Sequence, residues 1–258
     1  MSNSILEMKQ IHKYFPHESG TLHVLNDISL HVNEGEFVSI LGPSGSGKST
    51  LFHMIGGITA PSSGEIYIGQ HNMDGISRKG LISYMPQQAS LFPWRNVETN
   101  VRLGMELNGI RKKDAIKQAR EGLAKVGLEQ YSKHYPHALS GGMQQRISFL
   151  RALLTPNVVM CLDEPFASLD AFTRMDMQNW LVQRWEEEQK TILLITHHIE
   201  EALYMSDRIY VLSDKPTSVL ATYTVPFPRP RTESLLATES FTKLKFEIYQ
   251  HMKQKSRA

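Results

Sequence analysis

Nine consecutive residues, Gly42-Pro43-Ser44-Gly45-Ser46-Gly47-Lys48-Ser49-Thr50, carry the clearest chemistry in this sequence of 258 residues. Glycines at this spacing let the backbone fold tightly, so that successive N–H groups converge on one point. A helix beginning near Lys48 adds its positive N-terminal pole, and the loop becomes a phosphate cradle. In such a cradle Lys48 reaches the β- and γ-phosphates while the Ser49 hydroxyl holds Mg²⁺. The implied ligand is a nucleoside triphosphate. A second group is Asp163-Glu164, which closes the apolar run Val158-Val-Met-Cys-Leu162. Carboxylates at the C-terminal edge of a parallel strand face the crevice where open α/β sheets bind ligands. Asp163 suits Mg²⁺, directly or through water, and Glu164 can align and polarise an attacking water. His197 follows another apolar run, Thr191-Ile-Leu-Leu-Ile195. An imidazole there can hydrogen-bond a γ-phosphate, or it can cap or pack. Ser140-Gly141-Gly142 opens a helix and is a second potential anion site, this time without a lysine. Tyr14 and Phe15 are each candidates to stack on a base, a contact worth ~1–3 kcal/mol; either can equally be a core aromatic.

These groups need strands and helices to hold them. Glu36-Phe-Val-Ser-Ile-Leu41 reads as the strand before the glycine loop, and Leu51-Phe-His-Met-Ile55 continues the helix after it. The runs at 158–162 and 191–195 have the pattern of strands buried on both faces of a parallel sheet. Residues 5–41 are β-rich, and further strands are expected at 65–68, 81–85, 208–212 and 219–225. Helices are expected from Lys113 to Val126 with Gly127 as C-cap, from Ser140 to Pro156, from Ser168 to about Glu188, and from Glu239 to Lys253. Ile147, Leu150 and Leu154 form an apolar face on the second of these. After Pro86-Gln87-Gln88 comes Leu91-Phe92-Pro93-Trp94, an apolar patch in an expected loop. It reads as an interaction surface or as part of a helical lobe. The expected fold is an α/β core interrupted by a helical lobe at about 89–153.

Composition sets bounds. Hydrophobic residues make up 41% and charged residues 21%, with 28 basic against 26 acidic side chains. A net charge of +2 compels no nucleic-acid partner. The single cysteine, Cys161, lies in an apolar run and reads as a small buried hydrophobe in a reducing compartment. The first residues lack a signal-peptide pattern, and no apolar run reaches the ~20 residues of a membrane-spanning helix. A membrane role would therefore go through a partner.

The glycine loop, Gln87, Leu139-Ser-Gly-Gly-Met143, Asp163-Glu164, Ser168-Leu-Asp170 and His197 occur in this order. With them the chain closely resembles the nucleotide-binding subunit of ATP-binding cassette transporters from residue 5 to about 225. The resemblance implies a P-loop NTPase (RecA-like) core with an antiparallel β subdomain and an inserted helical subdomain. It assigns residues 1–225 to the nucleotide-binding domain and 226–258 to a C-terminal tail with a helix. ATP with Mg²⁺ is the implied cofactor pair. Residues 42–50 are implied to hold ATP, Phe15 (with Tyr14 as fallback) to stack on its base, and Ser49, Gln87 and Asp163 to serve the metal. Catalytic roles fall on Glu164, His197, Gln87 and Lys48. Ser140, Gly141 and Gly142 would read the γ-phosphate held by the other copy in a head-to-tail homodimer. The implied partners are integral membrane permease subunits and, indirectly, an extracytoplasmic solute-binding protein, with the chain peripheral on the cytoplasmic face. Leu91–Val97 and Glu164–Arg174 look like the importers of nitrate, sulfonates, taurine and, in some members, thiamine precursors. Two positions depart from the family. Leu150 stands where a small residue is usual, and His198 where an acidic one is. A soluble ATP-gated clamp on nucleic acid or ribosomes is the competing expectation, although such clamps usually carry paired cassettes or long coiled coils. A small-molecule kinase is opposed by the signature and by Gln87.

Overall fold

The computed structural model describes residues 4–18, 20–77 and 80–255. The elements begin with β1 (Ser4–His17), β2 (Gly20–Asn33), β3 (Phe37–Leu41), α1 (Lys48–Ile55), β4 (Ser63–Ile68) and β5 (His71–Asn72). Next come β6 (Ile82–Met85), α2 (Val97–Val101), α3 (Leu103–Leu107), α4 (Lys112–Lys125), α5 (Gly141–Leu154) and β7 (Val159–Asp163). The chain closes with α6 (Ala171–Glu188), β8 (Thr191–Thr196), α7 (Ile199–Met205), β9 (Arg208–Leu212), β10 (Val219–Thr224) and α8 (Glu239–Lys255). Two units divide it: Met1–Arg78 with Leu181–Ala258, and Lys79–Trp180 between them in sequence. The outermost residues of the expected ranges 1–225 and 226–258 lie outside the described residues.

In the first unit, β1 lies antiparallel to both β2 and β4, and β4 to β5. β3 runs parallel to β8 and to β9, while β10 is antiparallel to β9. Every residue of β3 and of β8 is buried, as their largely apolar character suits in strands covered on both faces. Burial of each Val, Leu or Ile side chain contributes about 1.5–3 kcal/mol. Both strands end where chemistry begins: β3 runs into Gly42, and β8 ends at Thr196, one residue before His197. The C-terminal residues join this unit's core. Phe241 and Ile248 of α8 are buried with Ala202, Leu203, Ile209 and Val211.

In the second unit, β6 runs parallel to β7, whose five residues are all buried. Helix α5 buries Ile147, Phe149, Leu150 and Leu153. Leu150, the departure from the family pattern, is fully buried. Its space comes from α4: a Cβ added at Gly122 would lie 2.7 Å from Leu150 Cδ1. A missing side chain on one helix thus accommodates the larger one on the other. Most boundaries fall within two residues of expectation, and the start of α6 is displaced further. The helix expected from Ser168 begins at Ala171, because the Asp170 carboxylate accepts the Thr173 N–H (3.0 Å) and caps it. Tyr14 and Phe15 lie within β1. Among the described residues no helix is long and apolar enough to cross a membrane.

Candidate functional site

In the first unit the glycine loop has the geometry of an anion cradle. Gly45 and Gly47 adopt φ of 77° and 102°, the left-handed region that L side chains avoid. At Gly47 space is limiting as well, since a Cβ there would lie 2.8 Å from Val24 Cγ1. Around Gly45 nothing lies within 4 Å of an added Cβ, so the loop is open on that side. Helix α1 begins at Lys48 with no side-chain cap and no acidic residue in its first turn. Its first N–H groups and its dipole are therefore directed at the loop. Lys48 is 5% exposed, and its Nζ donates to the carbonyls of Gly42 (2.9 Å) and Pro43 (2.7 Å). The buried Ser46 hydroxyl has no hydrogen-bond partner among the described residues. An orphaned hydroxyl, free space and a buried ammonium together suit phosphate oxygens. Ser44, Ser49 and Thr50 complete the loop, with Ser49 and Thr50 half-buried. The buried Thr217 hydroxyl donates to the Ser46 carbonyl, and Thr217 N–H donates to Val24 O (2.9 Å). Thr217 therefore braces the loop.

Register separates the two aromatics. Tyr14 pairs with His23 and Phe15 with Leu22 across β1 and β2. Neighbouring residues of β1 point to opposite faces, so Phe15 and Tyr14 part company; a register shift between Lys13 and Tyr14 interrupts the alternation at Val24, and Val24 and Leu25 both approach Gly47. Tyr14 is on the face opposite Phe15, its ring stacked on His23 with centroids 4.3 Å apart. His197 is exposed, its ring centroid 4.1 Å from that of His198. His198 occupies the N-cap position of α7 without a side-chain cap bond. Its N–H donates to Thr196 Oγ1 (3.0 Å), which in turn donates to the buried Glu201 carboxylate (2.6 Å).

The second unit holds the carboxylates. Asp163, at the end of β7, is 2% exposed and accepts from the Tyr84 hydroxyl (3.4 Å). Burial first, and the Asp163 charge second, push the Tyr84 phenol well above its usual range. A buried carboxylate beside a phenol that stays protonated is chemically suited to a hard cation. Glu164 has φ of 48°, uncommon for a residue with a Cβ. Its carboxylate accepts from Gln87 Nε2 (3.2 Å). Helix α5 holds the loop that carries Gln87: Gln145 Nε2 donates to Gln87 O (3.3 Å), and Arg151 donates to Ala89 O (3.3 Å) and Ser90 O (3.1 Å). At the other end of α5, Ser140 is the N-cap, its Oγ accepting from Met143 N (3.3 Å). Gly141 faces open space, while a Cβ at Gly142 would sit 3.6 Å from Leu169 Cδ2.

The expected patch is exposed: Trp94 is 70% and Phe92 36% accessible. Asn100, fully buried, explains how. Its side chain accepts Phe92 N–H (2.8 Å) and donates to Phe92 O (3.1 Å) and Arg95 O (2.9 Å), which clamps the turn and turns Trp94 outward. Beside it, Phe92, Leu103, Leu107, Tyr84, Arg151 and Thr155 line a groove of about 320 Å³. Sequence reasoning missed Asn100, Thr217, Gln145 and Arg151. No local signal singles them out, because each acts on a backbone group at a distance in sequence or within an unpredicted turn.

A glycine-loop cradle at the end of a buried parallel strand, with strand-end carboxylates, defines a P-loop nucleoside triphosphatase. Residues 25–167 match the family described as ABC transporter. The formylaminopyrimidine import ATP-binding protein ThiZ of Halalkalibacterium halodurans is 44% identical over 208 residues, 81% of this chain and 80% of that protein. The aliphatic sulfonates import ATP-binding protein SsuB of Bacillus cereus is 38% identical over 245 residues, 95% and 94% of the two chains. Among solved structures, the dimeric post-hydrolysis state of the ATP-binding cassette MJ0796 bound to ADP and Pi superposes with a TM-score of 0.78. It is 31% identical and covers 86% of this chain and all of that one. The chain belongs to the ABC transporter family and is an ATPase of that family.

Proposed function

We propose that this chain is the ATP-hydrolysing subunit of an importer, working as a homodimer on the cytoplasmic face of a membrane beneath permease subunits. Its solute is of the sulfonate or thiamine-precursor type, with nitrate and taurine in the same group; the relatives SsuB and ThiZ are named for import of aliphatic sulfonates and of formylaminopyrimidine. The solute reaches the permease from an extracytoplasmic binding protein that this subunit does not itself touch.

The residues divide the work. Backbone N–H groups from Gly42 to Thr50 and the Lys48 ammonium hold the phosphates, and Phe15 stacks on the base. Ser49, Gln87 and Asp163 are the oxygen donors suited to Mg²⁺, which when bound neutralises phosphate charge. Glu164 takes a proton from the attacking water, oriented by the Gln87 amide. His197 donates to the γ-phosphate. Ser140, Gly141 and Gly142 present the N-terminal end of α5 to the γ-phosphate held by the second copy. Each ATP then becomes part of a dimer contact, and hydrolysis removes it.

The observation that carries the reading is the tie from Gln87 to the exposed patch. Gln87 touches Glu164, its loop is strapped to α5 by Gln145 and Arg151, and the same stretch leads to Phe92 and Trp94. Hydrolytic groups and an apolar docking groove thus share one framework. A permease segment laid in that groove would sense the state of the Gln87 loop. The test is Trp94→Ala: co-purification with the permease should fall while ATPase activity of the isolated subunit persists. Equal loss of both would mean that Trp94 serves folding and would remove the docking assignment.

A further inference from the structure

Helix α7 has only seven residues, about 10 Å of helix, too short to be stable alone. His197 precedes its N-cap by one residue. The last four carbonyls of any helix lack intrahelical partners, and in α7 all four are accounted for. Ala202 O accepts the Ser206 N–H (3.0 Å). The Arg231 guanidinium donates to Leu203 O (3.1 Å) and Tyr204 O (3.0 Å), and also to Ser206 O (2.7 Å) just beyond the helix. Arg229 donates to Met205 O (2.5 Å). Both arginines come from the segment Pro226-Phe-Pro-Arg-Pro-Arg231, whose prolines restrict the backbone.

Arg231 is 7% exposed, and its Nε and second amino group both donate to Phe227 O (3.1 and 3.0 Å). Burial and the neighbouring Arg229 push its guanidinium down to about 10, which still leaves it charged at neutral pH. A cation at a helix C-terminus opposes the negative pole of the dipole. At the N-terminal end, Ala202 N–H donates to His198 O (3.2 Å), and Thr196 Oγ1 to Glu201. Hydrogen bonds therefore link Thr196 at the end of β8, His198, α7 and the 226–231 segment, and His197 lies in the chain between Thr196 and His198. Lys245 of α8 adds an ion pair to Glu200 in the first turn of α7.

We propose that Arg231 is a positioning residue for His197: by completing the C-terminus of α7 it sets where the imidazole meets the γ-phosphate. This rests on the role given to His197 above. The C-terminal segment then belongs to the hydrolytic apparatus rather than being an appended tail.

The experiment compares Arg231→Met, Arg231→Lys, His197→Ala and the His197→Ala/Arg231→Met pair in the full chain, with kcat and KM for ATP and amide hydrogen exchange across residues 197–206. Arg231→Met should lower kcat between about tenfold and a hundredfold, the scale of an approximately 1 Å misplacement, with KM within about twofold. Exchange in α7 should rise. Arg231→Lys keeps a cation within reach of the same carbonyls and should recover part of kcat. In the His197→Ala background Arg231→Met should cost nothing further, since both act through one group. An undiminished kcat in Arg231→Met despite faster α7 exchange would overturn the proposal, as would losses that add to those of His197→Ala. If His197→Ala itself turned over at the wild-type rate, the role of His197 would fail first. If Arg231→Met does not fold, a kcat in Arg231→Lys at the wild-type level with accelerated α7 exchange overturns the proposal equally.

Discussion

Gly122 and Leu150 form a complementary pair whose coupling can be calculated and measured. A Cβ at Gly122 would lie 2.7 Å from Leu150 Cδ1 and 3.2 Å from both Leu150 Cδ2 and Leu154 Cδ1. Alanine within a helix such as α4 gains up to about 0.8–1 kcal/mol of helix propensity over glycine, although Gly122 lies in the last turn. Against that, forcing a methyl into a filled core costs about 1–3 kcal/mol. Gly122→Ala should therefore destabilise by about 1 kcal/mol, although an exposed glycine in a helix would be improved by the same change. Leu150→Ala empties a fully buried site and should cost about 3 kcal/mol. Combined, the alanine at 122 is freed of Leu150 and keeps only the milder 3.2 Å approach of Leu154 Cδ1, fills part of the cavity and keeps its propensity gain. The double variant should then be more stable than the sum of the singles predicts, with a coupling of about 1–3 kcal/mol. Urea unfolding followed by far-ultraviolet circular dichroism gives all four free energies. Additivity within about 0.5 kcal/mol, or a stabilising Gly122→Ala, would refute the packing argument.

Two further outcomes follow from the site geometry. Burial, with a smaller contribution from Asp163, pushes the Cys161 thiol well above its usual range. The native thiol should resist iodoacetamide at pH 8, with labelling confined to unfolded chain. Because the folded state keeps that proton, this contribution to stability is full below the unfolded value near 8.5 and declines as pH rises above it; rapid native labelling would contradict the burial. Lys48→Ala removes a charge-assisted contact worth about 1.5–3 kcal/mol, so ATP affinity by calorimetry should fall between about tenfold and a hundredfold, and an unchanged affinity would count against the cradle.

What the sequence displayed most clearly were features whose physics is local. The apolar runs of β3, β7 and β8 announce buried strands, and each ends beside a candidate group: Gly42, Asp163 and His197. Ser140 was recognisable as a cap from its own type and position, and it caps Met143. The exposure of Trp94 was less clear, because an apolar loop residue can pack or protrude. The deciding group is Asn100, six positions away and buried beneath the turn. Thr217, 171 positions from Ser46, and Arg231, 25 positions from Ser206, had no sequence signature at all. Side chains that satisfy distant backbone carbonyls are recognisable only once the chain has been folded. Leu150 is the instructive case. It stands where the family usually has a small residue, and the compensation lies on another helix, at Gly122.

The central claim is that ATP is hydrolysed at Glu164 and that its γ-phosphate joins two copies of this chain. The most direct test is Glu164→Gln with ATP and Mg²⁺, followed by phosphate release and by sedimentation of the subunit. Loss of the general base should slow phosphate release by about 10²–10⁴-fold, while ATP binding persists and a stable ATP-dependent dimer accumulates. Phosphate release at the wild-type rate, or a variant that binds ATP but stays monomeric, would contradict the account.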